Sequence, residues 1–236
     1  MKIFNVIYWG IFFCLVACVK KECSDPIPIQ ESNTLSGITT MSTSSKGRFE
    51  ILLQSRALTK DACIGDYYPN INYGLLNQNY CTAWTYGNTE ANGVFFLRFD
   101  YNSIPKGARI HSAKISLYAD TTNVFVGSPF PSTGHYGVNL SFLIRRVETQ
   151  WDEILMTYST RPLISNYNQV IVDGPNSLAS SCLDIDVTEL VKDQITTHNY
   201  GFEISLLNYV RYKRLAFYSS NYPNSLVIPK MVIVYE

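Results

Sequence analysis

The sequence has no surplus of charge. Its 19 Lys and Arg are matched by 19 Asp and Glu, and charged residues make up only 16% of the chain. Binding to nucleic acid needs a basic footprint for the phosphates, so nucleic acid is not an expected partner. Histidine is scarce, and His111, His135 and His198 fall in separate segments with no triad pattern. There is no Cys-x-x-Cys and no His/Cys cluster with zinc spacing. Neither Gly-x-Ser-x-Gly nor a phosphate-binding glycine loop occurs. Asp152 and Glu153 are adjacent, and neighbours on a strand face opposite ways, which makes a poor acid/base pair. The expectation is a protein that is not an enzyme. No internal repeat is present.

Aromatic residues are abundant instead, with 17 Tyr and 12 Phe. With β-branched residues between Gly, Pro, Asn and Ser, they point to an all-β chain. Val94 to Asp120 shows the pattern best. Phe95, Leu97, Phe99 and Tyr101 share one face, with Arg98 and Asp100 on the other. After a turn at Asn102–Gly107, Ala113, Ile115, Leu117 and Ala119 share a face. This is the period-2 alternation of half-buried strands, joined through Pro105 and Gly107. Further strands are expected at 48–53, 61–64, 139–147, 182–187, 202–207, 215–219 and 230–235. One helix is expected from Thr188 to about Thr196, capped by Asp186 or Thr188. Asp66 to Tyr86 reads as a long loop or a pair of short strands, and Thr121 to Gly137 as an excursion between strands. Many short strands with one helix and no βαβ alternation give an antiparallel β-sandwich.

The N-terminus carries Lys2 and then an apolar run, Ile3 to Val16. At about fourteen residues it falls short of the roughly twenty of a membrane span and fits a secretory leader. It ends in Leu15-Val16-Ala17-Cys18, which resembles the lipobox of bacterial lipoproteins. That resemblance implies a leader at 1–17 and diacylated, palmitate-bearing Cys18 as the mature N-terminus. The alternative is an ordinary leader followed by a chance Cys. Two or three acyl chains anchor well, so the expected location is the cell envelope, at the outer membrane or surface of a Gram-negative bacterium. Residues 18–46 are rich in Ser, Thr, Pro, Gln and Asn and read as a flexible tether. The folded domain is then 47–236. Of the remaining cysteines, Cys63 and Cys81 flank the same loop and are the favoured disulfide pair. Buried free thiols are the alternative.

Several short motifs then follow in order. They are Pro69-Asn70-Ile71-Asn72-Tyr73-Gly74, Leu97-Arg98-Phe99-Asp100, Ile104-Pro105-Lys106-Gly107-Ala108-Arg109-Ile110 and Ser112-Ala113-Lys114-Ile115-Ser116-Leu117-Tyr118. Trp151-Asp152-Glu153 with Thr157-Tyr158 and Pro162, Asp186-Val187-Thr188, and Asn199-Tyr200-Gly201-Phe202 continue the series. From residue 48 to the end this resembles the DNRLRE domain, a module related to an alginate-binding carbohydrate-binding module family. The resemblance implies a jelly-roll sandwich. The aromatic after Thr157 is Tyr where the family has Trp, and Cys63 and Cys81 are additions to its pattern.

For a sugar-binding module the candidates are the loop aromatics Tyr67, Tyr68, Tyr73, Trp84 and Tyr86. Aromatic faces stack on sugar rings, though each of these could instead close a sandwich end. A second candidate is the basic and aromatic run Arg211, Tyr212, Lys213 and Arg214, where Arg can clasp a uronate carboxylate bidentately. A solvated turn is its alternative. Trp151 reads as a packing residue. Arg98 and Asp100 read as a structural ion pair. A structural calcium would need hard oxygen ligands, to which Asp61, Asp66 or Asp100 could contribute. The leading expectation is a non-catalytic, membrane-anchored surface protein that binds polysaccharide, an anionic uronate-containing one included. It would act beside other glycan-processing surface proteins. The alternative is a structural or adhesive surface protein that makes protein contacts.

Overall fold

The computed structural model describes residues 38–42, 47–122, 134–174 and 182–236. Most of the Thr121–Gly137 excursion, Cys18 and most of the expected leader and tether lie outside them. Among the described residues, twelve strands and one α-helix occur in the order β1 (Ile38–Ser42), β2 (Phe49–Leu53), β3 (Thr59–Gly65), β4 (Gln78–Tyr86), β5 (Thr89–Phe99), β6 (Ile110–Tyr118), β7 (Phe142–Arg146), β8 (Val170–Val172), β9 (Cys182–Asp186), α1 (Thr188–Thr196), β10 (Phe202–Leu206), β11 (Lys213–Tyr218) and β12 (Lys230–Tyr235). They form two sheets, one ordered β1-β2-β12-β6-β9 and the other β11-β4-β5-β10-β7-β8, with β3 also on β5. Every pairing is antiparallel. The all-β sandwich with one short helix is what the alternating strands predict.

The second sheet is built around β5. Its first half, Thr89–Gly93, pairs with β4. Gly93–Phe99 pairs with β3, and Phe95–Leu97 also pairs with β10. Phe95, Leu97, Phe99 and Tyr101 are all buried in the main core, beside Ala113, Ile115 and Leu117 of β6. The alternation read from the sequence is thus the alternation of the core. The opposite face of β5 is covered too. Phe96 joins Ala62, Ile64, Val147 and Met156 in a second cluster, with Trp151 packed at its margin. Trp151 sits 5.9 Å from the Phe96 ring, and its Nε1 donates to the Tyr200 carbonyl at 2.7 Å, the packing role expected of it.

Helix α1 starts where Asp186 accepts the Thr188 N–H at 2.9 Å. It buries Leu190, Val191 and Gln194. Gln194 Nε2 donates to the Gly201 carbonyl at 2.8 Å and so ties the helix to β10. Gly201 itself has φ +84, and an added Cβ would lie 2.4 Å from the Leu97 carbonyl oxygen. Both conditions demand glycine. Gly201→Ala is expected to cost about 2–3 kcal/mol, seen as an earlier midpoint in urea unfolding.

Four expectations are corrected or extended. Five residues of the expected tether, Ile38–Ser42, form β1 and pair along β2. The aromatic segment before residue 87 contains a nine-residue strand, β4, which turns into β5 through Gly87 and Asn88. Both turn residues have positive φ, +55 and +68, as a two-residue hairpin requires. Cys63 and Cys81 are not a disulfide but buried free thiols. They sit on different strands and are used separately: Cys63 Sγ lies 3.6 Å from the Gln78 carbonyl, and Cys81 Sγ donates to the Ile204 carbonyl at 3.1 Å. Cys182, in contrast, is disulfide-bonded. Finally, Arg98 does not pair with Asp100. Asp100 accepts the Asn102 N–H at 3.0 Å, and Arg98 stands directly opposite Lys60 on β3.

Candidate functional site

The hairpin β4–β5 carries the candidate site. Cys81 and Ala83 of β4 point into the main core. Alternation therefore sends Thr82, Trp84 and Tyr86 to the other side of the strand. Trp84 and Tyr86 are two residues apart on that side, a spacing of about 6.6 Å. Each is the centre of an aromatic group. Tyr86 meets the Tyr67 ring at 4.9 Å and the Tyr68 ring at 6.3 Å, and Tyr67 meets Tyr68 edge-on at 4.6 Å. Trp84 meets Tyr136 at 5.4 Å and Tyr212 at 5.2 Å, both in T-shaped contacts. The result is a strip of six aromatic rings. Its outward members are open to solvent: Tyr86 is 61% exposed, Tyr212 52% and Tyr68 47%.

The chain around the strip is held in place by its own bonds. Asp66 accepts the backbone N–H of Asn92 at 2.7 Å and its side-chain amide at 3.0 Å, which fixes the start of the Tyr67–Tyr68 segment on β5. Tyr68 in turn has its carbonyl engaged by the Ile71 N–H. On the other side Tyr212 has φ +68, a strained backbone for a bulky residue, and donates its N–H to the Ala83 carbonyl at 2.7 Å. That strain places its ring against Trp84. Desolvation by its neighbours raises the Tyr68 phenol above its ordinary value, and the Tyr86 and Tyr67 phenols add to the rise. Faces of neutral tyrosine and tryptophan with hydroxyls at their tips suit apolar sugar-ring faces and their rims of hydroxyls.

The residues named from the sequence divide. Tyr67, Tyr68, Trp84, Tyr86 and Tyr212 come together in the strip. Tyr73 does not: it bridges Cys63 through its backbone and packs on the main core. Arg211 lies beside the strip, exposed, 3.2 Å from Glu90. Lys213 and Arg214 are buried rather than presented to solvent. Lys213 Nζ donates to the Asn139 carbonyl at 2.9 Å, and Arg214 Nη2 to Gln78 Oε1 at 2.8 Å. Gln78 also donates to Asp120 at 2.5 Å. These two cations hold the outer side of β11 to its covering segment, where Tyr136 pairs with Arg214. Tyr136 was not identified from the sequence. It sits in a glycine- and proline-rich stretch with no strand pattern, and only the pairing with Arg214 brings it to Trp84.

The three aspartates considered for calcium are apart. Asp61 accepts the Ser220 N–H at 2.6 Å, Asp66 binds Asn92, and Asp100 binds Asn102. Among the described residues no three His, Cys, Asp or Glu side chains converge. Asp152 and Glu153 are in local use, Asp152 on the Ile154 N–H and Glu153 on the Asp61 N–H.

The fold and the aromatic strip agree with one comparison. Residues 53–235 match carbohydrate-binding module family 96. The chain belongs to this family. The matched span starts at the last residue of β2 and runs through β12, so it covers the whole second sheet, β6, β9 and β12 of the first, and the β4–β5 hairpin. The family 96 module thus includes every member of the aromatic strip. No curated protein matches the chain. The chain therefore carries a carbohydrate-binding module.

Proposed function

We propose that this protein is a non-catalytic, membrane-anchored lipoprotein that captures polysaccharide on the strip formed by Tyr67, Tyr68, Trp84, Tyr86, Tyr136 and Tyr212. Residues 1–17 act as the leader, Cys18 carries the acyl chains, and the stretch before β1 is the tether. The exposed Tyr68, Tyr86 and Tyr212 rings around a fixed Trp84 carry the reading. A row of rings serves a chain of sugars better than a single residue, because each ring adds area without ordering a long side chain. The module belongs to a carbohydrate-binding family.

Acidic, uronate-containing chains are the favoured class. Arg211 supplies the reason. Its pair with Glu90 joins two well-exposed side chains, and such pairs contribute about 0–1 kcal/mol. A uronate carboxylate beside the strip can replace Glu90 at little cost and be held bidentately. Migration of the protein through native gels containing single polysaccharides tests the proposal. Retardation is expected, strongest in uronate polymers and weakened by salt. Unretarded migration in every polymer would overturn it.

A further inference from the structure

Cys182 is disulfide-bonded, and its partner follows from a count. The chain has six cysteines, Cys14, Cys18, Cys23, Cys63, Cys81 and Cys182. Cys63 and Cys81 are buried free thiols. The partner is therefore one of the three cysteines before β1. Two of those have other fates in the reading above. Cys14 leaves with the leader, and the sulfur of Cys18 is taken by lipid. Cys23 remains.

The place of Cys182 in the fold suits such a bond. Leu183 and Ile185 of β9 pack on the main core, so alternation turns Cys182 and Asp184 to the outer side of the first sheet. There Cys182 stands opposite Tyr118, and Asp184 accepts the Ser116 hydroxyl at 2.5 Å. Strand β9 is one edge of this sheet and β1 is the other. Four strand spacings separate them, about 19 Å. Residues 24–37 join Cys23 to the start of β1. At about 3.3 Å per extended residue they reach more than twice that far. The outer side of the sheet also has something to cover. Leu52 and Val232 stand directly opposite each other on β2 and β12. Both alternate away from core residues, Ile51 and Leu53 on β2 and Met231 and Ile233 on β12. Both are half-buried nonetheless, as are Val234 and Tyr118. A sheet face open to water is expected to be polar there.

We propose that Cys23 and Cys182 form a disulfide that pins the N-terminal stretch to β9 and lays residues 24–37 across the outer side of the first sheet. The choice of Cys23 rests on the leader and lipid assignments made above. In forming the bond the two thiols give up two protons and two electrons. They pass by exchange to a disulfide-bearing thiol oxidant of the cell envelope, whose own disulfide is reduced to two thiols. The pin shortens the free tether to residues 19–22. The lipid on Cys18 then lies within about 18 Å of chain from the outer side of the first sheet. The aromatic strip is on the second sheet, on the side away from the core, so it is turned away from the bilayer and toward arriving polysaccharide.

Mass spectrometry of the full chain tests it, after expression in a Gram-negative envelope and tryptic digestion without reductant. A peptide of residues 22–46 joined to residues 147–192 is expected, and it should separate into its two halves on reduction. Cys23→Ser and Cys182→Ser should each lower the melting midpoint by about 5–10 °C, and the double variant should fall no further. Cys182 found as a free thiol, or joined to Cys182 of a second copy, overturns the inference. The lipid anchor survives that result, because the acyl mass on Cys18 is read in the same digest. Cys182 joined to Cys18 or to Cys14 overturns both the inference and the lipid assignment. A Cys23–Cys182 link beside an unmodified Cys18 supports the pin and overturns the anchor alone.

Discussion

Replacing Tyr86 by Ala is expected to weaken polysaccharide binding about thirtyfold, or about 2 kcal/mol, the loss typical of a central aromatic contact. Stability should change by no more than about 0.5 kcal/mol, as for other exposed surface positions. Two observations place the effect at Tyr86. It is the most exposed ring of the strip, so it gives little to the fold. It also joins the Tyr67–Tyr68 group to the side of β4 that carries Trp84. Trp84→Ala should weaken binding as much or more, but with a stability loss, because Trp84 positions Tyr136 and Tyr212. Tyr73→Ala provides the contrast. Tyr73 packs on the core outside the strip, so its loss should lower the unfolding midpoint and leave the affinity of the folded protein nearly unchanged. Calorimetric titration beside urea unfolding separates the two. Equal binding by the Tyr86→Ala protein and the unaltered protein would remove the strip from the site.

The second large effect is on stability as a function of pH. Asp61 is buried on β3, and desolvation pushes its carboxyl up to about 7 despite the N–H donated by Ser220. A carboxyl raised in the folded state favours folding when protonated. Its contribution is full below about pH 4, the unfolded value, and is lost as pH rises through about 7. His135 acts in the opposite sense. It is buried against Phe217, its Nδ1 accepts the Ala216 N–H, and desolvation lowers it to about 4, with Arg214 adding to the shift. Its contribution is full above about pH 6.5 and is lost as pH falls through about 4. Each group changes stability by about 1.4 kcal/mol per pH unit inside its window. Burial also raises the Glu153 and Glu203 carboxyls, which act in the same direction as Asp61.

Asp61→Asn keeps an acceptor for Ser220 without a charge. Its stability relative to the unaltered protein is therefore expected to climb by about 1.4 kcal/mol per pH unit between about pH 4 and pH 7. His135→Gln keeps an acceptor for Ala216, and its relative stability should climb as pH falls from about 6.5 to about 4. Denaturant unfolding across that range reads both. Variant curves that run parallel to that of the unaltered protein would show that neither group carries the shift.

What the sequence makes legible is local. Phe95, Leu97 and Phe99 alternate with polar neighbours because one side of β5 faces the main core, and a reader of the sequence recovers that strand and β6 from alternation alone. Asp186-Val187-Thr188 marks the start of α1 for a similar reason: the carboxylate and the first N–H are two residues apart. Long-range facts are not legible. The run Lys213-Arg214-Leu215-Ala216-Phe217-Tyr218 looks half-exposed, yet all of β11 is buried, because Gln78 and the Tyr136 segment cover the side away from the core. Cys63 and Cys81 flank one loop in sequence, but their thiols reach carbonyls on different strands. Five of the six rings in the strip lie in stretches that the sequence marks as aromatic. That they share one face depends on the β4–β5 register and on the strained backbone of Tyr212.

The account's central claim is that the module binds polysaccharide on the aromatic strip without altering it. The most direct measurement is a calorimetric titration of the protein with a defined uronate polymer and with a neutral one, with polymer length determined before and after. Saturable binding, tighter for the uronate polymer and with lengths unchanged, is the predicted result. Absence of binding to both, or shortening of either chain, would contradict it.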